Sequence, residues 1–247
     1  MYKMSVPIIQ GGMGVGISMG RLAGAVAAEG GMGVISTANI GFREKDFWSN
    51  PQEANCRALK KEIRRAREIS DGKGLIAVNA MVATKNFAEM VKVAVKSGID
   101  AVISGAGLPL NLPDLVDDKT LIAPIVSGKR AASLLMRTWK SKHGRSPDFL
   151  VVEGSKAGGH LGFKKEELIE GRESKLEDII SDVTSVAMGI SVFGAGGIFD
   201  SEDIKTIKDR GAAGVQIATR FIATQECDAS QGYKDRILSA KSEDVKI

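Results

Sequence analysis

Cysteine, histidine and aromatic side chains are scarce in this sequence, and long apolar runs are missing altogether. Cys56 and Cys227 stand far apart with no Cys-x-x-Cys spacing, so neither a disulfide framework nor a zinc site is expected. No other pattern points to a metal. No apolar run approaches the roughly 18 residues of a membrane span. Met1-Tyr-Lys-Met-Ser-Val-Pro7 runs into a strand-like segment where a signal peptide would have its apolar core. The chain is expected to be soluble and cytoplasmic, with no membrane partner. An excess of charge of one sign is also lacking: 34 basic against 30 acidic residues leave +4. No basic stripe alternates with aromatics, which removes nucleic acid from the expected partners. The densest basic run, Arg57 to Arg67, includes Glu62 and carries Leu59, Ile63 and Ala66 at helical spacing. It reads as the solvated outer face of an amphipathic helix.

Glycine is what the chain has in abundance: 29 of 247 residues, against an average share of about 7%. The glycines fall at the ends of short apolar runs. Such runs occur at Pro7–Gln10, Met32–Thr37, Leu75–Ala80, Ala101–Gly105, Leu121–Val126, Phe149–Glu153, Ser191–Ala195 and Gly214–Ala218. A helical pattern follows each, with Ser18 expected to cap the first, through Leu22, Val26 and Ala27. The segment Glu166–Ala187 reads as mostly helical, with an insertion at its charged start. Strands that are apolar on both faces and alternate with helices indicate parallel β/α units. An open doubly wound sheet competes with a closed barrel on this count. Glycine and polar residues recur at the C-terminal ends of several strands, which favours a (β/α)8 TIM barrel, where ligand groups gather from many strand ends.

Two stretches carry the chemistry. Val151-Val-Glu-Gly-Ser-Lys-Ala-Gly-Gly-His160 leaves a buried strand through small residues and delivers a histidine, the side chain suited to proton transfer near neutral pH. Gly194-Ala-Gly-Gly-Ile198 and Ala218-Thr219 follow strands seven and eight, where barrels hold phosphate on backbone N–H groups. A P-loop sequence is absent, and Gly12-Met-Gly-Val-Gly16 is only a fragment of a dinucleotide fingerprint.

Six motifs in order then identify a family: Pro7-Ile-Ile-Gln-Gly-Gly-Met13, Val78-Asn-Ala-Met81, Ser104-Gly-Ala-Gly-Leu-Pro109, Glu153 with Ala157-Gly-Gly-His160, Gly194-Ala-Gly-Gly-Ile198, and Gly214-Val-Gln-Ile-Ala-Thr-Arg-Phe221. Together they resemble the nitronate monooxygenases, formerly 2-nitropropane dioxygenases, and their relatives the flavin-dependent enoyl-acyl-carrier-protein reductases. The resemblance implies a single FMN-binding TIM-barrel domain over residues 1–247. Gly11, Gly12 and Met13 would pass close to the isoalloxazine, and Asn79 would hydrogen-bond it. Gly158 and Gly159 would line the ribityl chain. Gly196, Gly197, Gln216, Ala218 and Thr219 would hold the phosphate end, with Glu153 and Lys156 in support. His160 matches the family histidine that serves substrate as base or polar anchor. Ala218 stands where the family usually has glycine. Residues 231–247 read as the start of a C-terminal helical extension that is cut short, leaving the lid region incomplete. The implied activity is oxidation of nitronates or nitroalkanes with O₂. NAD(P)H-dependent reduction of an enoyl thioester is the alternative, and a flavin-binding barrel without turnover is a third reading that His160 speaks against. The oligomer is left open, a homodimer included.

Overall fold

The computed structural model describes residues 4–245; the last two residues of the expected C-terminal extension lie outside them. Eight parallel strands close into one barrel in sequence order. They are β1 (Ile8–Gln10), β2 (Met32–Ser36), β3 (Leu75–Met81), β4 (Ala101–Gly105), β5 (Leu121–Val126), β6 (Phe149–Glu153), β7 (Ser191–Ala195) and β8 (Gly214–Ile217). Closure comes from β1, which pairs with β2 through Ile9↔Met32 and with β8 through Ile9↔Gln216. That pairing rules out the open doubly wound sheet, whose edge strands would each lack one neighbour. Between and after the strands lie α1 (Gly20–Ala28), α2 (Pro51–Ser70), α3 (Phe87–Lys96), α4 (Lys129–His143), α5 (Lys165–Ile169), α6 (Leu176–Thr184), α7 (Ser201–Asp209), α8 (Thr219–Ile222) and α9 (Gln231–Ser239).

Alternation along each strand divides the core in two. Ile9, Met32, Val34, Ala77, Ile103, Ala123, Phe149, Val151 and Phe193 fill the barrel interior. Phe149 and Phe193 meet there edge to face, 5.6 Å apart. The opposite parity, including Val78, Val102, Ile122, Val152 and Val215, packs outward on Leu59, Ile63, Met90, Val91, Leu135 and Ile180 of the helices. The inward series 75, 77, 79 brings Asn79 near the end of β3, and 121, 123, 125 brings Ile125 near the end of β5. The series 149, 151, 153 ends at Glu153, and 214, 216 at Gln216. These four side chains therefore face the C-terminal mouth of the barrel.

Three local expectations change. Ser18 does not cap α1: its hydroxyl accepts from Met13 N at 2.9 Å and donates to the Gly11 carbonyl at 3.1 Å, pinning the loop after β1. The free amide at the start of α1, Gly20 N, instead donates to Glu62 Oε2 at 2.8 Å. Glu62 is thus buried rather than solvated; a carboxylate at a helix N-terminus satisfies an orphan donor and complements the helix dipole. The third change is Glu166–Ala187, which splits into α5 and α6, because Gly171 takes a left-handed conformation (φ 63°) and Lys175 is extended.

The segment before α9 is tied down. Arg21 donates to the Cys227 carbonyl at 2.7 Å, and Arg21 and Arg65 both pair with Asp228 at 3.6 and 3.5 Å. Lys234 Nζ reaches the Thr224 carbonyl at 2.7 Å. These contacts fix α9 across part of the barrel mouth. No helix among the described residues is long and apolar enough to cross a membrane. No group of three or more metal-ligating side chains occurs among them.

Candidate active site

A cavity of about 730 Å³ opens at the C-terminal mouth, a size suited to a cofactor or substrate. Its first wall is Gly11–Met13, held close to β3. A Cβ on Gly12 would lie 2.3 Å from Asn79 Cβ and 3.3 Å from Val34 Cγ1, so only glycine lets this loop approach Asn79 so closely. Gln10 supports the loop from below, accepting Val34 N at 3.0 Å and donating to Ser18 Oγ at 2.8 Å. Gln216 forms part of the floor. Its Oε1 is buried without a hydrogen-bond partner, an arrangement that costs about 1–3 kcal/mol and favours a ligand N–H.

The opposite end is polar and cationic. Gly196 (φ 104°) and Gly197 (φ 75°) make a turn that side-chain-bearing residues rarely adopt. Two amides in the first turn of α7 are taken by its own capping box. Asp200 accepts from Glu202 N and Asp203 N at 2.9 and 3.0 Å, and Asp203 accepts from Phe199 N at 2.7 Å. An anion here would rely on the glycine turn itself, on Thr219 and on two cations. Lys156 lies against Gly197, where a Cβ would meet its Cδ at 2.8 Å. Arg220 stacks 4.2 Å over the Phe199 ring and donates to the Phe199 carbonyl.

A second cavity of about 710 Å³ adjoins the first, and Ile125 and Glu153 line both. Its wall is largely apolar, with Leu108, Val126, Ala131, Leu134 and Leu161, and carries Arg130 and His160. Gly162 closes it against the β5–α4 turn: a Cβ there would meet Ser127 Oγ at 2.4 Å. No hydrogen bond or ion pair reaches the Glu153 carboxylate among the described residues. Burial alone pushes its pKa up to about 7 from 4.5, because the charged form loses hydration without gaining a partner.

Gly11, Gly12, Met13, Asn79, Glu153, Gly158, Gly196, Gly197, Gln216, Ala218 and Thr219 thus share the first cavity. Gly159 (φ 96°) lines neither cavity. His160 is exposed and touches only the second. His143, the other histidine, engages Asp114 and the Leu110 carbonyl away from the site. Sequence reasoning missed Ile125, Phe199, Arg220 and the contribution of α9, whose Ile237 and Leu238 cover one side. Strand parity marks Ile125, and the last quoted motif contains Arg220. Nothing local marks Ile237 or Leu238.

The nitronate monooxygenase family model matches residues 1–247. A probable nitronate monooxygenase of Staphylococcus aureus is 26% identical over all of this chain and 73% of its own length. A Mycobacterium tuberculosis protein named as a hydroxy-methyl-oxo-octahydroindene-carboxyl-CoA dehydrogenase is 27% identical, over 95% of this chain and 57% of that protein. FabK from Thermotoga maritima superposes with a TM-score of 0.77 at 27% identity, covering 97% of this chain and 66% of FabK. The nitroalkane oxidase of Streptomyces ansochromogenes shares the fold, with a TM-score of 0.74 at 21% identity, over 94% of this chain and 70% of that one.

Proposed function

The chain belongs to the nitronate monooxygenase family, and from that premise we propose that it is a cytoplasmic, FMN-dependent oxidoreductase that oxidises alkyl nitronates with O₂. The observation that carries this reading is the pair of cavities meeting at Ile125 and Glu153. One is walled by glycine loops and holds an orphaned amide oxygen; the other is apolar with a histidine on its wall. The first suits a flat heteroaromatic ring with N–H and carbonyl groups, followed by one phosphate. With one cationic end to the cavity and no dinucleotide fingerprint in the chain, FMN fits better than FAD. Bound there, the flavin would supply two-electron chemistry between substrate and O₂.

The chain's own groups divide the remaining work. Gly11–Met13 and Asn79 bound the ring's position, and Gln216 Oε1 accepts an N–H from it. Gly158 leaves room for the ribityl chain. Gly196, Gly197, Ala218 and Thr219, with Lys156 and Arg220, hold the phosphate. The leucines of the second cavity exclude water from the alkyl part of the substrate. His160 hydrogen-bonds the nitro-group oxygens from the outer wall.

FabK's likeness favours one second reading, reduction of an enoyl thioester by NAD(P)H. Anaerobic stopped-flow mixing of the purified flavoprotein with a nitronate and, separately, with NADH distinguishes them. Rapid bleaching of the flavin by the nitronate is the expected result. Bleaching by NADH alone, with an enoyl thioester restoring the colour, would establish the reductase instead. Mass spectrometry of the released cofactor should give FMN; FAD would refute the single-phosphate assignment.

A further inference from the structure

We propose that Ser18, seated on Gln10, is a positioning residue that turns the Gly12 N–H into the barrel mouth as the donor for a ring carbonyl oxygen of the bound flavin. The inference rests on the FMN reading above and concerns how the chain presents itself to that ring. The segment involved has little stiffness of its own: Gly11, Gly12, Gly14 and Gly16 are four of the seven residues between β1 and Ser18. Glycine loses more backbone freedom on ordering than any other residue, so such a loop needs an outside constraint.

The constraint is one hydroxyl. Ser18 Oγ accepts from Met13 N at 2.9 Å and from Gln10 Nε2 at 2.8 Å, and it donates to the Gly11 carbonyl at 3.1 Å. That uses its one donor and both lone pairs. Gln10 Nε2 also donates to the Gly11 carbonyl, and Gln10 Oε1 accepts from Val34 N at 3.0 Å. Gln10 and Ser18 are buried, at 0% and 1% exposure. Neither lines the first cavity, whereas Gly11, Gly12 and Met13 do.

The loop's three amides divide accordingly. Gly11 N donates to the Ile217 carbonyl at 2.8 Å and Met13 N to Ser18, so Gly12 N is the one of the three without a partner among the described residues. Its direction follows from its own peptide. The Gly11–Gly12 peptide is planar and trans, so the Gly12 N–H points opposite to the Gly11 carbonyl. That carbonyl is drawn onto Ser18 and Gln10, and the N–H therefore faces away from them, where the loop borders the cavity. A ring carbonyl oxygen gains electron density when the flavin is reduced, so a fixed donor there stabilises the reduced form more than the oxidised one.

Two measurements read this without turnover. Amide exchange of isotopically labelled protein, followed residue by residue by NMR, should show Met13 protected and Gly12 unprotected before FMN is added. Bound FMN should slow Gly12 exchange about tenfold or more. Ser18→Ala should speed Met13 exchange by about the same factor. In that variant the dissociation constant of reduced FMN should rise about 3–10-fold more than that of oxidised FMN. The tenfold end of that range is a midpoint potential about 30 mV lower. Ser18→Thr, which keeps the hydroxyl, should restore both readings. Met90→Ala, buried on α3, should lower the urea midpoint and leave potential and Met13 exchange alone, which separates positioning from general loss of stability.

Gly12 exchange that bound FMN leaves unchanged would overturn the inference, and that result needs no variant. So would a Ser18→Ala protein that weakens both redox states of FMN equally, or that leaves Met13 exchange as it was. With FMN bound and Gly12 unprotected, this inference falls and the cofactor reading stands. A protein that takes up no flavin removes both. If Gly12 and the potential behave as expected while nitronate leaves the flavin untouched, the role of Ser18 stands and the nitronate reading falls.

Discussion

Glu153 makes a thermodynamic prediction that needs no turnover. Its pKa in the folded protein is about 7, against 4.5 without burial. Below 4.5 the carboxyl is neutral in folded and unfolded chains, and its contribution to stability is fully present. As pH rises past 4.5 the unfolded chain gives up the proton first, while the folded chain keeps it until about 7. Stability therefore falls across that window, by up to about 1.4 kcal/mol per pH unit, and then levels off. The total is about 3 kcal/mol. Glu153→Gln keeps the shape and removes the titration. Every other titrating group is common to both proteins, so the difference between them isolates this one. Urea unfolding of ligand-free protein at about pH 4.5 and about pH 8 should show the variant gaining about 3 kcal/mol on the parent at the higher pH. A stability gap that is the same at both pH values would mean that Glu153 is hydrated or paired in solution.

Gly12→Ala should cost about 1–3 kcal/mol by overpacking, because the added methyl would sit 2.3 Å from Asn79 Cβ; urea midpoints measure it. Gly158→Ala, where a Cβ would meet nothing within 4 Å, should stay within about 0.5 kcal/mol of the parent. Thr219→Val should weaken FMN about 10–150-fold in a fluorescence titration, the loss of one charge-assisted bond to phosphate; an unchanged dissociation constant would place the hydroxyl elsewhere. Glu62→Ala should destabilise the fold by about 1–2 kcal/mol, by stripping Gly20 N of its acceptor; thermal unfolding reads this, and no loss would show that water replaces the carboxylate.

The barrel was legible because its evidence is local. Each strand is a short apolar run and most are closed by glycine, so all eight expected runs coincide with observed strands to within a residue at either end. What local evidence could not supply was contact between distant segments. Ser18 looks like a cap from its neighbours alone. The group that takes its place, Glu62, lies 42 residues beyond Gly20, on a helix face whose charges all look solvated. The same holds for α9. Its position depends on Arg21 and Arg65 reaching Asp228, ion pairs that no spacing rule anticipates. At α7 the division of amides follows from residues plain in the sequence: Asp200 and Asp203 accept from the backbone N–H groups of residues 199, 200, 202 and 203, which leaves the glycine turn before them as the place for an anion.

The loop from Glu153 to His160 shows why a site's residues can be read more easily than their environments. Judged by unperturbed pKa values, histidine near 6.5 is the natural proton carrier and glutamate near 4.3 is not. That comparison assumes that both are hydrated. In the fold, the strand ends at Glu153 with its carboxyl facing inward, whereas the chain runs on through small residues and leaves His160 at the surface. Strand β6 is apolar on both faces, so alternation alone does not tell which parity faces the barrel axis. The answer comes from register: Val151 lies level with Phe193 and Glu153 with Ala195, and Val151, Phe193 and Ala195 are all inward. Once the direction is known the sign of the shift follows, since an inward carboxyl without a partner loses hydration and its pKa is pushed up to about 7. The pKa that marks Glu153 is thus a consequence of strand closure, expressed at one residue only when all eight strands are in place.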